Sequence, residues 1–344
     1  MLAMILKEFR QVGRDRRTLA MLIVMPVVLL LVFGYAASFD VTEIPTVVVG
    51  PGADSVSSLL PDVFSVDSTD TSGTRDDAVN ALVAGDAHVA VVAEPGAPTV
   101  LIDGSELFMA RAAVQVATAM EAQVPGLTSE VLFNPTLDTS AVLVPGLAGL
   151  IIVFVGTLVT SMSVVREREA GTLEQLAVMP FKPKDVFVGK IAPYFLIASL
   201  DIVLVLLIGT ILFDVPFNGS VVPLAIGALM FLFVALGLGV LISSVSENQA
   251  QSIQLALMTV LPQIMLSGII FPLSSMPAGI SWIGYLLPLT YFNLVAKGVM
   301  VRGAGLGDLL VPLGLLTLLG SVIFGLAMIR FARQLRPARA RVMS

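Results

Sequence analysis

Long apolar stretches alternate with short polar ones along most of the 344-residue chain. A helix needs about 20 mostly apolar residues to cross the roughly 30 Å hydrocarbon layer of a membrane. Six stretches reach that length, and we predict that each is a membrane-spanning helix: Leu19–Phe39, Ala141–Val165, Ile191–Phe213, Val221–Ile242, Ser252–Phe271 and Leu309–Ile329. An even number of spans places both ends of the chain on the same side of the membrane.

Residues 40–138 show a different pattern. Short β-branched runs bounded by glycine or proline predict strands at Ile44–Val49, Val89–Val92 and Thr99–Ile102. Helical patterns cover Arg75–Ala84 and Leu107–Ala122. The Ser-, Thr- and Asp-rich stretch Ser65–Gly73 is expected to be a surface loop. The pattern therefore predicts a small water-soluble α/β domain.

Composition excludes several classes of protein. Hydrophobic residues make up 56% of the chain and charged residues 13%, whereas a soluble domain has about 25% charged residues. A soluble multi-domain enzyme is thus excluded, and 19 basic against 25 acidic residues excludes a nucleic-acid binder. The chain has no cysteine and one histidine, which leaves no thiolate chemistry and little room for a histidine metal site. We expect His88 to be structural.

The charge pattern predicts the orientation. Residues 40–138 contain 15 acidic and two basic residues, whereas 15 basic residues flank the predicted spans in three clusters: Lys7 to Arg17, Arg166 to Lys190, and Arg330 to Arg341. All three clusters fall on one side of the six-span arrangement, and short basic flanks mark the cytoplasmic side. We expect a multi-pass membrane protein with cytoplasmic termini and an outer α/β domain.

Two questions remain open from the sequence: the nature of the first apolar run and the reason for the acidity of the outer domain. Ala36, Ala37 and Ser38 after the first apolar run would suit a cleaved signal peptide, although cleavage would move the basic tail to the wrong side. The acidic outer domain could reflect a solvated surface, a saline habitat or a binding function.

Residues 166–180 form a charged segment between the second and third predicted spans. Gly171 should loosen the end of the long helix, and Pro180 should stop a short one after about two turns. Leu173, Leu176 and Ala177 would share a face of that short helix. An apolar stripe flanked by charges suits docking into a groove on a partner protein, although an ordinary basic loop would have the same composition.

Residues 267–303, from the end of the fifth predicted span towards the sixth, contain several prolines, glycines and aromatic residues. We expect short helices that re-enter the membrane over residues 272–300, because irregular backbone at membrane depth needs protein or water beside it. Asp201, midway along the third span, must also face protein or water; it either contacts a polar cargo or bonds a neighbouring helix. The candidate translocation-path residues are Asp201, Gly268, Pro272, Pro277, Pro288 and Tyr291.

These segments resemble one known family. The stretch Glu169-Ala-Gly-Thr-Leu-Glu-Gln-Leu with Pro180 is similar to its counterpart in the ABC type-2 transporter permeases. The pattern Gly268, Phe271-Pro272, Met276-Pro277, Pro288-Leu-Thr-Tyr-Phe and Gly303 also resembles that family. The likeness covers almost the whole chain and is greatest to the branch with a large outer domain, which includes drug, sodium and lipid exporters.

The resemblance implies roles for particular residues. Residues 1–17 correspond to an interfacial helix at the inner membrane surface. Residues 166–180 correspond to the coupling helix that receives the stroke of an ATPase, and the implied coupling residues are Glu167, Glu169, Gly171, Thr172, Leu173, Glu174, Leu176 and Pro180. Six spans would be half of a transporter, so a second permease copy or paralogue is implied, within a bilayer of membrane lipids.

The chain lacks the G-x-x-x-x-G-K-[ST] loop that binds ATP phosphates. We therefore expect no cofactor on this chain, with ATP-Mg bound by a separate ATP-binding subunit. The expected organisation is a first unit at 1–39, the outer domain at 40–138, a five-helix membrane domain at 139–331 and a basic tail at 332–344.

The expected function is ATP-driven export of a drug, a lipid or sodium. The alternative is a membrane-anchored receptor or scaffold, whose helices only assemble. An ion-coupled transporter would need more ionisable groups in the membrane than Asp201.

Overall fold

The computed structural model describes residues 43–171 and 183–334, together with Val24, Val27, Leu30 and Val41. The predicted interfacial helix and almost all of the first span lie outside the described residues, as do the basic tail after Gln334 and the coupling residues Thr172, Leu173, Glu174, Leu176 and Pro180.

Residues 44–132 form an α/β unit around one five-stranded sheet. Its strands are β1 Ile44–Val49, β2 Phe64–Asp70, β3 Val89–Val92, β4 Thr99–Asp103 and β5 Thr128–Leu132. The order across the sheet is β2-β1-β3-β4-β5, and only the β3–β4 pair is antiparallel. Three helices connect the strands: α1 Ala53–Ser57, α2 Arg75–Ala84 and α3 Leu107–Glu121. The predicted strands and helices of this region are confirmed.

Helices cover both faces of the sheet, and each face has its own apolar core. Val48, Val91 and Ile102 pack on the face covered by α3, whereas Val47 and Leu101 pack on the face covered by α2. Central strands buried on both sides need continuous apolar runs. This requirement explains why β1 and β3 read as unbroken runs rather than as alternating patterns.

The predicted surface loop at Ser65–Gly73 is wrong for most of its length. Phe64–Asp70 is the edge strand β2, which pairs parallel with β1. Only Phe64 is buried, and the last four residues of the strand are exposed. An edge strand needs one partner strand and tolerates polar side chains on its open side, so its composition resembles that of a loop.

The second half of the chain is helical. Its long helices are α4 Thr139–Glu169, α5 Pro183–Leu212, α6 Val221–Val245, α7 Gln249–Leu266 and, after a segment of short helices, α10 Leu310–Gln334. Four described helices, α4, α5, α6 and α10, are long and apolar enough to cross a membrane. They coincide with four of the six predicted spans, so the chain has the helices of a multi-pass membrane protein.

Helices α4 and α6 form the centre of this helical unit. In their most apolar stretches 50% and 61% of residues are buried, against 17% in α5 and 22% in α10. Glycines let α4 and α6 approach closely: a Cβ on Gly239 would lie 2.7 Å from the Cβ of Thr160 and 2.8 Å from the carbonyl oxygen of Thr157. Small residues commonly permit such contact between membrane helices, and α5 and α10 are left to face outward.

The predicted fifth span ends earlier than expected. The sequence pattern extends to Phe271, but α7 stops at Leu266 and is not one of the four long apolar helices among the described residues. Gly268, two residues further on, has a φ of +79°, which a right-handed helix cannot contain. Six spans therefore remain a prediction.

Short helices follow the end of α7. A 3-10 turn covers Leu273–Ser275, and it precedes α8 Ala278–Gly284 and α9 Pro288–Lys297, which continues as a π-helical turn through Gly298–Arg302. The prediction that prolines break this segment is confirmed, because Pro272 and Pro277 immediately precede helical turns and Pro288 is the first residue of α9.

Candidate functional site

The α/β unit contacts the short helices through the loop after β4. Glu106 lies in that loop, and its Oε1 is 2.9 Å from the Nζ of Lys297, the last residue of α9. The two side chains are 13% and 2% exposed. Neither charge can be solvated in this position, so each depends on the other.

A second group of charges surrounds Asp103, the last residue of β4. Its carboxylate is fully buried, 3.4 Å from the Nδ1 of His88 and 3.8 Å from a guanidinium nitrogen of Arg302, and it accepts a 2.8 Å hydrogen bond from the Ser105 amide. Burial raises the pKa of Asp103, but the hydrogen bond with His88 and the charge of Arg302 outweigh it, so the pKa lies below its usual value. Asp103 therefore remains ionised inside the protein.

Gly268 joins this region to α7. Its carbonyl oxygen accepts hydrogen bonds from the Asn293 side-chain amide at 3.2 Å and from Lys297 at 3.4 Å. The left-handed conformation of Gly268 directs the chain away from the axis of α7. The end of α7 is thus fixed to α9 and, through Lys297, to the α/β unit.

A cavity of about 430 Å³ lies between the α/β unit and the short helices. We call it the junction cavity; its lining comes from α2, the loops before β3 and after β4, the turn after α7, α9 and the start of α10, and it includes His88, Glu106, Ser267, Gly268, Pro272, Asn293 and Arg302. Its size is within the range of small-molecule sites.

Two of the predicted path residues lie at this cavity. Gly268 and Pro272 line it, whereas Pro277, Pro288 and Tyr291 do not. Tyr291 is buried nearby in α9 and donates a 2.5 Å hydrogen bond to the carbonyl oxygen of Tyr285. Pro288 starts α9 and Pro277 precedes α8, so these three residues shape the segment without reaching the cavity.

Asp201 lies far along the chain from these groups, in the middle of α5. Its side chain is half-buried, and the described residues provide it with no hydrogen bond or ion pair. Three hydroxyl-bearing residues of α4 bond other groups: Thr157 donates to the Ala235 carbonyl, Ser161 donates to the Leu158 carbonyl, and Ser163 accepts from Tyr194. None of these three hydroxyls bonds Asp201, and the choice between a cargo contact and an interhelical bond stays a prediction.

The C-terminal end of α4 is connected to the start of α7. The Glu169 carboxylate accepts hydrogen bonds from the backbone amide of Gln249 at 3.1 Å and from its side-chain amide at 2.6 Å. Gln249 is the first residue of α7, so the carboxylate lies at the positive end of that helix. We call this contact the α4–α7 clamp.

Arg168 strengthens the same connection from the other side of the turn. Its guanidinium donates a 3.1 Å hydrogen bond to the carbonyl oxygen of Ser243, near the end of α6. It donates another to the carbonyl oxygen of Ser246, in the turn between α6 and α7. Helix α4 ends at Glu169, and Gly171 just after it adopts a left-handed φ of +71°. Glu167 is half-buried in the last turn of α4. Three helices therefore meet where the predicted coupling segment begins.

Sequence reasoning missed the charged members of the junction. None of Lys297, Arg302, Asp103 and Glu106 is among the site residues that the sequence predicts, and the sequence indicates no pairing between them. A signal was present: two cations within a strongly apolar segment require buried partners. Their identity was hidden because Glu106 and Lys297 are 191 positions apart.

Comparison with known proteins gives a family match over most of the chain. Residues 16–329 match the family model described as ABC-2 family transporter protein. The chain is 30% identical over 333 residues to the "Probable multidrug ABC transporter permease YbhS" of Escherichia coli strain K12, with 88% of each chain covered.

Shorter matches point the same way. The "Probable multidrug ABC transporter permease YbhR" of the same organism is 33% identical over 174 residues, covering 51% of this chain and 47% of the relative. The "Inner membrane transport permease YhhJ" is 30% identical over 211 residues, covering 60% and 56%. In permeases of this kind ATP hydrolysis takes place on a separate subunit, and the permease itself is not an enzyme. The chain therefore belongs to the ABC-2 family of transporter proteins, as a membrane permease that works with an ATP-binding partner.

Proposed function

We propose that the chain exports a hydrophobic or amphipathic small molecule, a drug or a lipid, or else sodium, from a prokaryotic cell. Its energy comes from ATP-Mg bound by the partner subunit, and the stroke enters at residues 166–180. Two permease chains, identical or paralogous, make up the transporter. The chain ends and the clamp lie on the cytoplasmic side, and the α/β unit lies outside.

The α4–α7 clamp is the observation that best supports this proposal. The coupling segment 166–180 begins in the last turn of α4. Glu169, in that turn, attaches the end of α4 to the first residue of α7. Helix α7 leads to Gly268, whose carbonyl bonds Asn293 and Lys297 beside the junction cavity. A displacement at the coupling segment would therefore reach the opposite end of the helical unit along α7.

The names of two relatives and the size of the junction cavity support the substrate class. Two of them carry names that call them probable multidrug permeases, and a junction cavity of about 430 Å³ could hold a molecule of drug size. Sodium needs no cavity of that size, which favours an organic cargo. Basic flanks around the long apolar helices support the proposed orientation.

ATP-driven transport in proteoliposomes tests the proposal. The purified permease should capture a soluble ATPase that carries a phosphate-binding loop, and the complex should move a lipophilic dye or sodium only when ATP is supplied. Glu169→Ala removes both bonds to Gln249 and should reduce ATP-driven transport at least about fivefold, the lower end of usual coupling energies. Leu173→Ala, in the predicted docking face, should weaken capture of the ATPase.

Glu121→Ala is the matched control, since Glu121 is an exposed glutamate in the α/β unit. It should leave transport unchanged. If the permease captures no ATPase, and neither Glu169→Ala nor Leu173→Ala changes assembly or transport, the chain acts as a receptor or scaffold instead.

A further inference from the structure

The junction cavity combines features that a small ligand would use together. It has an apolar wall that includes Met109, Leu273 and Leu294, and an exposed aromatic ring at Tyr285. Such a surface can cover the body of an organic molecule. The remaining polar and charged groups decide which kind of molecule it suits.

Charge at the cavity is unbalanced. Lys297 offsets Glu106, and Arg302 offsets Asp103. Two further carboxylates, Asp86 and Asp308, line the cavity and are exposed. Within the described part of the chain neither of them forms an ion pair, so the cavity has an excess of two negative charges.

A buried hydroxyl at the cavity also has no partner. Ser267 lines the cavity at the end of α7 and is 1% exposed, yet its Oγ has no hydrogen-bond partner among the described residues. A polar atom removed from water normally has one. This unsatisfied group points to a ligand with a polar function of its own.

A bare metal ion does not suit this arrangement. Over the described ranges, no three side chains of the His, Cys, Asp or Glu type come close enough together to bind a metal ion. A volume of about 430 Å³ also far exceeds that of one ion. An organic cation can instead place its charge near Asp86 and Asp308, while its apolar body lies against Leu273 and the ring of Tyr285.

The geometry points to the junction cavity as a binding site for an amphipathic organic cation of drug size. Asp86 and Asp308 attract its charge, Ser267 bonds its polar group, and the apolar wall covers the rest. That this molecule is also the exported cargo rests on the proposed export function. It narrows the cargo from drugs, lipids or sodium to one chemical class. As a binding site it can be tested without ATP or a partner.

Equilibrium binding of rhodamine 6G, an amphipathic cation, to the purified full-length permease in lipid nanodiscs tests the site. We expect saturable binding that weakens about tenfold in the double variant Asp86→Asn, Asp308→Asn, because two nearby charges are removed. Asparagine keeps the side-chain oxygen that Asp308 offers to the Gly305 amide, so the fold is retained. Ser267→Ala should reduce affinity a few-fold without lowering the melting temperature.

The control is Asp62→Asn, Asp67→Asn, which removes the same charge from exposed positions of the α/β unit away from the cavity. It should leave the affinity for rhodamine 6G unchanged. Nile red, a neutral lipophile, should be insensitive to all of these substitutions, and replacing potassium chloride with sodium chloride should not displace the dye.

Other results would overturn the inference. Equal loss of binding in both double variants would mean that the dye responds to the overall negative charge of the protein and not to the cavity. Equal binding in wild type and all variants would mean that the dye dissolves in the lipid. Displacement by sodium but not potassium would mean a metal-ion site. Dye binding as expected without ATP-driven transport would refute the export function alone, whereas transport without such binding would refute this site alone.

Discussion

Lys297 places a charge where almost no water reaches, with 2% of its side chain exposed. Glu106 balances that charge at 2.9 Å and gains from the same contact. The ion pair also closes the gap between the α/β unit and α9. Lys297 therefore forms one of the links between the α/β unit and the helical unit, and its substitution should have a large effect.

Lys297→Met should lower the free energy of unfolding by about 3–5 kcal/mol, because Glu106 is left buried without a partner. Adding Glu106→Gln should recover most of that loss, which thermal unfolding of the purified protein would measure. Arg75→Met provides the comparison: the Arg75–Glu130 pair is 45% and 50% exposed, so its loss should cost less than about 1 kcal/mol. Equal losses for the two single variants would contradict the buried pair.

Asp103 should make stability depend on acidity. Its pKa in the folded protein lies below its ordinary value of 3.8, so the folded state binds its proton less readily than the unfolded state does. The stabilisation from Asp103 is complete above pH values near 4 and is lost as the pH falls through the folded pKa.

Melting temperatures measured at pH 6 and at pH 3.5 would test this dependence. Wild type should lose more stability on acidification than Asp103→Asn, which cannot ionise. Asp62→Asn, in an exposed carboxylate, should behave like wild type. An acid response of Asp103→Asn equal to that of wild type would show that another group is responsible.

At the scale of elements, glycines determine where helices end and how closely they pack. Gly268 ends α7 with a φ of +79° and presents its carbonyl to Asn293 and Lys297. Gly239 serves a different purpose, since it permits α6 to touch Thr160 and Thr157 of α4. The two positions should respond to alanine for different reasons.

Gly268→Ala should cost about 1–2 kcal/mol of stability, because an alanine is strained in the left-handed conformation. Gly279→Ala in α8 is the matched control, since Gly279 has an ordinary φ and a Cβ there would meet nothing within 4 Å. Thermal unfolding should leave Gly279→Ala unchanged or slightly stabilised. Equal behaviour of the two variants would mean that the turn after α7 is not constrained.

Gly239→Ala should destabilise the helical unit by about 1–3 kcal/mol, the usual cost of overpacking. The added Cβ would lie 2.8 Å from a backbone oxygen of α4, which cannot move aside as a flexible side chain can. Gly314→Ala on the exposed side of α10 meets nothing within 4 Å and serves as the control. A fall in melting temperature confined to Gly239→Ala would support close packing of α4 and α6.

At the scale of the whole molecule, the chain combines two units with separate cores. The sheet of the α/β unit is covered on both faces by its own helices, whereas the helical unit packs around α4 and α6. The ion pairs of Lys297 and Arg302 connect the two units. The α/β unit therefore contains what a domain needs to fold alone.

Residues 41–138 expressed alone should form a soluble monomer with a cooperative thermal transition and a mixed α/β circular-dichroism spectrum. The excess of 15 acidic over two basic residues in 40–138 should keep the fragment soluble. Its melting temperature should be nearly the same in Glu106→Gln, because without the helical unit the Glu106 side chain is solvated and needs no partner. A fragment that aggregates or stays unfolded would show that its core depends on the helices.

The sequence alone was sufficient for features that depend on neighbours along the chain. Apolar length predicted α4, α5, α6 and α10, and β-branched runs predicted β1, β3 and β4, because burial in a membrane or a sheet centre imposes a local pattern. The prolines that divide residues 267–303 act through their own backbone geometry and were predicted for the same reason. The short motifs around Glu169 and Pro288 also indicated the family.

Only the tertiary structure decided features that depend on distant residues. Strand β2 exists because β1 pairs with it, and its polar composition gave no local signal. Lys297 finds Glu106 across 191 positions, and the turn at Gly268 places its carbonyl beside that pair. Buried charges need partners, but the sequence does not show which acidic residue of the α/β unit pairs with each buried cation. The fold selected Glu106 and Asp103, and in doing so it formed the junction cavity between the two units.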